Sequence, residues 1–393
     1  MRIAMFTNNY KPYIGGVPVS IEHLAAALRE RGHEVYVFAP TYEGQEEEPY
    51  VIRYPSLPLK VAGAPVPNAL TKLFLKKVKE LEIQVIHVHH PAIVGNVALH
   101  LKRKLGIPVV FTYHTCYEQY LYYIKPLEQL EKCTGMVQRY LKGFCQKCDL
   151  LLAPTPEIRR HLWQRGVTVP IGVLPTGIPG SRFYGNGHLR SKLLGDADYL
   201  FITVSRLAKE KNLFYQLSEL AILKELLSAQ GKTFRHLIIG GGPGEEELKK
   251  EAKRLKIEEN LIFTGNIPND AIPDYLAASD LFLFTSKSET QGIVILEAMA
   301  AGLPVAAVDA TGVRNVVVSG RNGMLCPEGS GWLADTILTL LRCPEKYRRM
   351  QQAAVETARA YSEELVAERA ESYYRSVEGR KLWSNQMQRN FTY

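Results

Sequence analysis

The sequence predicts an α/β protein made of two doubly wound, Rossmann-like domains. Three observations carry that expectation. Short apolar runs that read as buried strands alternate with stretches of helical period, beginning at Ile3–Thr7. The alternation starts afresh at Tyr199–Val204, after a stretch rich in Gly, Pro and Ser over 177–187 that reads as the interdomain linker. A chain of 393 residues is also long enough for two separate cores.

Composition narrows the class. The chain is 46% hydrophobic and 22% charged, as expected of a water-soluble globular protein. Met1–Thr7 is too short for the apolar part of a secretory leader, and no apolar run approaches the ~18 residues of a membrane span. The six cysteines are scattered, so reduced thiols and a cytoplasmic location are expected. Cys145 and Cys148 form a C-x-x-C without a second pair at metal spacing, and read as two thiols packed on a helix. The net charge of +8 is uneven: residues 1–175 hold 21 Lys+Arg against 14 Asp+Glu, and the remainder is nearly balanced. A basic first half suits an anionic membrane surface. No recognition motif supports nucleic acid as a partner.

Taken in order, Ile3–Thr7 is the first strand. Gly15 and Gly16 then precede a helix running to about Gly32; they let backbone approach a ligand, and the helix N-terminus offers N–H donors. Residues 31–38 continue into a second strand. Residues 40–68, with Glu46–Glu48 and several prolines, read as a loop. Asn68–Ile83 reads as a helix, with Leu70, Leu73, Phe74, Val78 and Leu81 on one face and Lys72, Lys76 and Lys79 on another, beside Lys77. That basic face fits either plain solvation or docking on anionic lipid. Val85–His89 is a strand, and His89 and His90 line a cleft at most. Ile107–Thr115 is another, placing His114 at the carboxyl end of a parallel strand, where α/β ligands bind. Residues 116–124 are aromatic and fit either a Tyr-rich core helix or a wet, apolar binding surface. A buried strand over 148–155, a helix, and Ile171–Pro179 close the first half.

In the second half, Arg206 and Lys211 sit in the turn between a strand and a helix. Two cations there can clamp a diphosphate, one as a planar fork and one as a point charge. His236–Glu245 is strand, glycine turn and helix, with Gly242 in the turn. A strand at Leu261–Pro268 follows, then the buried strand Asp280–Phe284. After it come a polar loop and a short helix closed by Gly302 and Pro304. Gln291, Gly292 and Ile293 offer backbone N–H groups to an anion. Glu289 in the loop and Glu297 on the helix, about two turns along, suit two parts of a polyol, because a carboxylate accepts two hydroxyls. Residues 332–358 read as helical, and 362–383 as an amphipathic helical tail.

Glu289 and Glu297 match the E-x7-E signature of the retaining glycosyltransferases of family 4, which have the GT-B fold, and Gln291–Gly292 with Ala301–Pro304 strengthens the match. The resemblance runs along essentially the whole chain. Gly15–Gly16–Val17, the Thr112–Thr115 segment with His114, and Arg206–Leu207 with Lys211 resemble further motifs of that family in the same order. Two positions depart from it: Ser205 stands where the family has glycine, and Pro179 where it usually has aspartate. Residues 116–124 resemble the acceptor-side segment of the diacylglycerol glucosyltransferase branch.

The resemblance implies an acceptor-side domain over 1–176, a nucleotide-sugar domain over 188–360 facing it across a cleft, and a tail over 361–393 returning to the first. It implies transfer of a hexose from a nucleoside diphosphate sugar with retained configuration. Arg206, Lys211 and the N–H groups near Gly292 would stabilise the departing diphosphate. Glu297 would hold the ribose, Glu289 and His114 the sugar hydroxyls, and Gly15, Gly16 and Gly242 would line the donor. No cofactor or metal is expected; there is no Asp-x-Asp ligand motif. Three readings stay open: a lipid glycosyltransferase peripheral to the inner membrane face, a glycosyltransferase with a soluble acceptor, and a non-catalytic nucleotide-sugar binder. UDP-glucose and GDP-mannose are the candidate donors.

Overall fold

A computed structural model describes residues 1–13, 15–61, 64–67, 71–115, 127–179, 185, 187–287 and 289–390. The chain divides into two compact units, Met1–Gly177 with Glu363–Tyr393, and Ile178–Ser362.

The first unit is built on a seven-stranded sheet of order β3-β2-β1-β6-β7-β8-β9, every pairing parallel. The strands are β1 Arg2–Phe6, β2 Glu34–Pro40, β3 Val51–Tyr54, β6 Val85–Val88, β7 Val109–Thr112, β8 Leu150–Ala153 and β9 Ile171–Val173. A two-stranded hairpin, β4 Ser56–Val61 with β5 Ala64–Pro67, stands apart from it. Parallel strands have helices on both faces, so both of their side-chain sets are apolar. One face packs Phe6, Phe38, Phe74 and Phe111. The other packs Ile3, Met5 and Val37 against Ile21, Leu24 and Leu28 of the helix Gly16–Glu30. The long helix Glu363–Asn390 lays Val366, Ala370, Tyr374 and Val377 on that second face. Each large apolar side chain so buried stabilises by about 1.5–3 kcal/mol.

The second unit carries a six-stranded, all-parallel sheet of order β12-β11-β10-β13-β14-β15. These are β10 Tyr199–Val204, β11 Phe234–Ile239, β12 Leu261–Gly265, β13 Leu281–Phe284, β14 Val305–Val308 and β15 Gly323–Cys326. Cores again fill both faces, one around Leu200, Phe282 and Met299, the other around Phe201, Leu220 and Ile337.

Four expectations are corrected. Residues 40–68 are a loop only in part: 41–50 hold no strand or helix, but β3 then extends the first sheet at its edge, and β4 and β5 pair with each other. Proline is tolerated on edge strands, which need no continuous apolar run, so the usual strand signal is missing there. The helix expected over 68–83 covers Thr71–Glu80, with Phe74 and Val78 buried and Lys72, Lys76 and Lys79 exposed. The stretch 332–358 is two helices, Trp332–Leu341 and Pro344–Arg359, broken because Pro344 fits only the first turn of a new helix. Cys145 ends its helix, so Cys148 lies beyond it; both thiols are buried, and neither is in a disulfide.

Candidate active site

In open parallel sheets, ligands bind beyond the carboxyl ends of the strands, where the strand order reverses. In the second unit that point lies between β10 and β13: the chain steps outward from β10 to β12, then returns to β10's other side. Two loops leave the sheet there. The loop after β10 carries Arg206 and Lys211; the loop after β13 carries Glu289 and Gln291.

The structure joins these loops through their side chains. Lys211 Nζ donates to Glu289 Oε1 at 2.5 Å, and both side chains are largely buried, each 21% exposed. The Ser286 hydroxyl donates to the same carboxylate at 2.9 Å and to the Glu210 carbonyl at 3.3 Å. The Thr285 hydroxyl donates to the Lys211 carbonyl at 3.0 Å. Burial by itself would raise the Glu289 carboxyl. The Lys211 charge and hydrogen bond, the Ser286 hydrogen bond and the Arg206 charge outweigh it, and hold the carboxyl below its usual range.

Arg206 does not stand as a bare cation beside Lys211. Its guanidinium bonds Glu210, four residues on, and its side chain is 44% exposed. Both members of the expected clamp are therefore paired with carboxylates. Ser205 keeps a buried hydroxyl with no partner among the described residues.

Gly292 opens the helix Ile293–Ala300 as its N-cap, with φ of 70°. That left-handed conformation favours glycine and turns the chain sharply into the helix. The helix begins at Ile293, so Glu297 stands little more than one turn in, and only part of its separation from Glu289 is helical. Glu297 is partly buried, and its carboxyl makes no hydrogen bond or ion pair among the described residues. Burial pushes it up to about 7. An unpaired carboxyl at a switch point is poised to accept hydroxyls from a ligand.

Gly242 has a structural reason of its own. A Cβ there would lie 2.4 Å from the Leu207 carbonyl oxygen, and one at Gly240 would lie 2.0 Å from that of Ser205. These glycines let the turn after β11 close on the loop after β10, so Gly242 braces the Arg206 loop through its backbone.

In the first unit, the order reverses between β1 and β6. Gly15 caps the helix Gly16–Glu30 after β1, and a Cβ on Gly15 would stand 3.2 Å from the Tyr13 ring. His114 follows β7. With His89, Thr112, Ser20, Thr176 and Gly177 it lines a small pocket at the carboxyl end of this sheet. His89 Nδ1 lies 2.8 Å from His114 Nε2. Burial holds His114 well below the ordinary histidine range, so it is neutral. The expected acceptor-side segment 116–124 lies outside the described residues, as do Ile14 and much of the 177–187 linker.

Sequence reasoning missed Ser286, Glu210 and the contact of His89 with His114. Arg206 with Glu210, and Ser286 with Glu289, are close in sequence but lie outside any α-helix, where no fixed spacing brings side chains together. The contact of His89 with His114 depends on which strands are neighbours. Among the described residues no three His, Cys, Asp or Glu are grouped to hold a metal ion, and no helix is long and apolar enough to cross a membrane.

Comparison with known proteins gives the family. Residues 14–182 match the family model Glycosyltransferase Family 4, and 188–357 match Glycosyl transferases group 1. An alpha-monoglucosyldiacylglycerol synthase of Streptococcus pneumoniae is 32% identical over 87% of this chain and 78% of its own. One of Acholeplasma laidlawii is 28% identical over 95% and 96%. A GDP-mannose-dependent alpha-mannosyltransferase of Mycobacterium tuberculosis is 28% identical over 97% and 98%. Among solved structures, sucrose-phosphate synthase of Thermosynechococcus elongatus superposes with a TM-score of 0.79 at 21% identity, covering 96% of this chain and 99% of that one. Anabaena Alr3699/HepE in complex with UDP-glucose gives 0.75 at 21%, covering 96% and 100%. With both halves matched by family models and a relative this similar over most of its length, the chain belongs to glycosyltransferase family 4 and is a sugar-transferring enzyme of GT-B fold.

Proposed function

We propose that the chain moves a hexose, glucose by preference, from a nucleoside diphosphate sugar to a membrane lipid such as diacylglycerol, with retained anomeric configuration and without a metal ion. The observation that carries the donor half is the contact of Lys211 with Glu289 at the switch point, beside the unpaired Glu297. A bound diphosphate would draw Lys211 from Glu289 and Arg206 from Glu210. The freed Glu289 would then accept sugar hydroxyls while Glu297 accepts those of the ribose. The two cations, with the N–H groups at Gly292 and Ile293, would stabilise the charge that develops on the leaving diphosphate, in place of a metal. On the first unit, His114 would meet a sugar hydroxyl, with Gly15 and Gly16 near the donor phosphate.

Support for a lipid acceptor comes from the two relatives that are glucosyldiacylglycerol synthases and from the exposed Lys72, Lys76 and Lys79. Lys76 and Lys77 lie 3.7 and 3.0 Å from Glu80, so part of this face is already neutralised. The mannosyltransferase relative favours a second reading, GDP-mannose with a soluble acceptor.

Purified protein given UDP-glucose and vesicles containing diacylglycerol and an anionic lipid should form an α-linked glucolipid, undiminished by a metal chelator. The same protein should float with those vesicles, and UDP-glucose should raise its Tm more than GDP-mannose does. Turnover with GDP-mannose alone, and no flotation, would favour the second reading.

A further inference from the structure

The carboxyl end of the first sheet gathers four histidines, and the reaction outlined above uses one. His87 is fully buried with both ring nitrogens engaged: Nδ1 with the Tyr374 hydroxyl at 2.8 Å, Nε2 with the Thr112 hydroxyl at 2.7 Å. Its ring centre lies 4.2 Å from that of His89, so one side of His89 rests on a fixed wall. His89 is 1% exposed, and its ring is within 20° of parallel to that of His114. Its Nδ1 faces Nε2 of His114 at 2.8 Å, while its own Nε2 is buried with no partner among the described residues.

A single hydrogen decides what this pair can do. A neutral imidazole has one N–H and one bare nitrogen, so one ring must donate and the other accept. Were His114 the donor, His89 would carry its own hydrogen on Nε2, a buried N–H with no acceptor among the described residues. With His89 as donor, Nε2 is only an unused lone pair. Orphaned buried N–H groups are rarer in folded proteins than under-satisfied acceptors.

We propose that His89 is a positioning residue: it donates its Nδ1–H to Nε2 of His114 and so fixes His114 with its hydrogen on Nδ1. His114 is then a hydrogen-bond donor, and its basic nitrogen is occupied. It can steady a sugar oxygen but cannot take the acceptor's proton. This rests on the reading that His114 meets the donor sugar, and deepens it by assigning the direction of that bond.

Nitrogen-15 NMR of the histidine side chains, on the full chain between pH 6 and 8, reads the tautomers directly; His114→Ala and His89→Phe assign the signals. The expected wild-type spectrum has the hydrogen of both His89 and His114 on Nδ1, without change across that range. In His89→Phe, His114 should become a mixture of tautomers, and kcat should fall about tenfold while nucleotide affinity holds. His89→Asn returns an amide N–H close to the lost Nδ1 and should recover most of that rate. A hydrogen on Nε2 of His114 in the wild type, or a mixture there, overturns the assignment whatever the variants do. The underlying reading fails separately: if His114→Ala transfers sugar at the full rate while the tautomers are as expected, the sugar contact falls and the His89 assignment stands.

Discussion

The two sheets place different chemistry at their switch points. The second unit offers charge: a buried lysine–carboxylate contact, an exposed arginine–glutamate pair and an unpaired glutamate. The first offers neutral groups: burial holds His87 at about 3, His90 at about 4 and His114 well below its usual range, beside the hydroxyls of Thr112, Ser20 and Thr176. Charged groups at a partly buried site suit a ligand whose own charge grows during reaction. Neutral donors and acceptors suit hydroxyls that are placed but do not ionise. In the proposed reaction one unit would drive departure of the diphosphate, and the other would orient.

The comparison predicts that the largest losses lie in the second unit. Lys211→Ala removes a cation proposed to meet the leaving group and leaves the largely buried Glu289 without its partner. It should lower kcat by about 100- to 1,000-fold, the usual cost of losing one preorganised charge partner. Because the leaving group matters only as it departs, nucleotide-sugar binding should weaken far less than kcat. A loss of binding without a loss of kcat would give this lysine a ground-state role instead.

Glu297→Ala comes next. A hydrogen bond to a charged acceptor is worth about 1.5–3 kcal/mol, so donor affinity should fall roughly ten- to a hundred-fold. The pH dependence is more discriminating. The Glu297 carboxyl, raised to about 7, ionises just where the buried histidines do not. Donor affinity should rise with pH through 7, and Glu297→Gln should flatten it. A nucleotide sugar is the right probe, since its diphosphate does not titrate there. Stability should move the other way. The folded chain holds this proton to about 7, whereas an exposed glutamate loses it near pH 4.3. The advantage is full below the lower value and lost as pH climbs through the higher. Glu297→Gln should therefore raise Tm at pH 8 more than at pH 5, by a few degrees after allowance for solvent screening. Equal Tm changes at both pH values would count against an unpaired, buried carboxyl.

Much of this architecture is legible in the sequence because parallel strands, buried on both faces, leave apolar runs such as Leu150–Ala153 and Leu281–Phe284. The edge at Val51–Pro67 escapes that rule, since edge strands accept proline and polar residues. The site divides the same way. Its residue types, a cation after one strand and a glutamate after another, stand out in the sequence. Which cation meets which carboxylate does not: Lys211 and Glu289 are 78 residues apart and meet only because β13 returns beside β10. The contact of His89 with His114 likewise follows from β6 lying next to β7. Gly242 adds a reason that the sequence does not show: a Cβ there would meet the carbonyl of Leu207, so the glycine is needed for the two loops to close.

The smallest of these effects is expected at Arg206, and it tests whether exposure or sign of charge sets the ranking. Arg206 carries the same charge as Lys211, but its side chain is 44% exposed and paired with Glu210 on the same turn. A cation this exposed acts on the diphosphate through water and contributes about 1 kcal/mol or less, so Arg206→Ala should lower kcat roughly fivefold. Salt separates the two cations. Exposed charges are screened within about 10 Å at 0.1 M salt, whereas a buried pair is not. The Arg206→Ala defect should shrink as salt rises to about 0.5 M, and that of Lys211→Ala should persist. If both variants lose equally and both losses resist salt, the guanidinium, once drawn from Glu210, is as well shielded from water as Lys211, and burial in the resting chain does not rank the two cations.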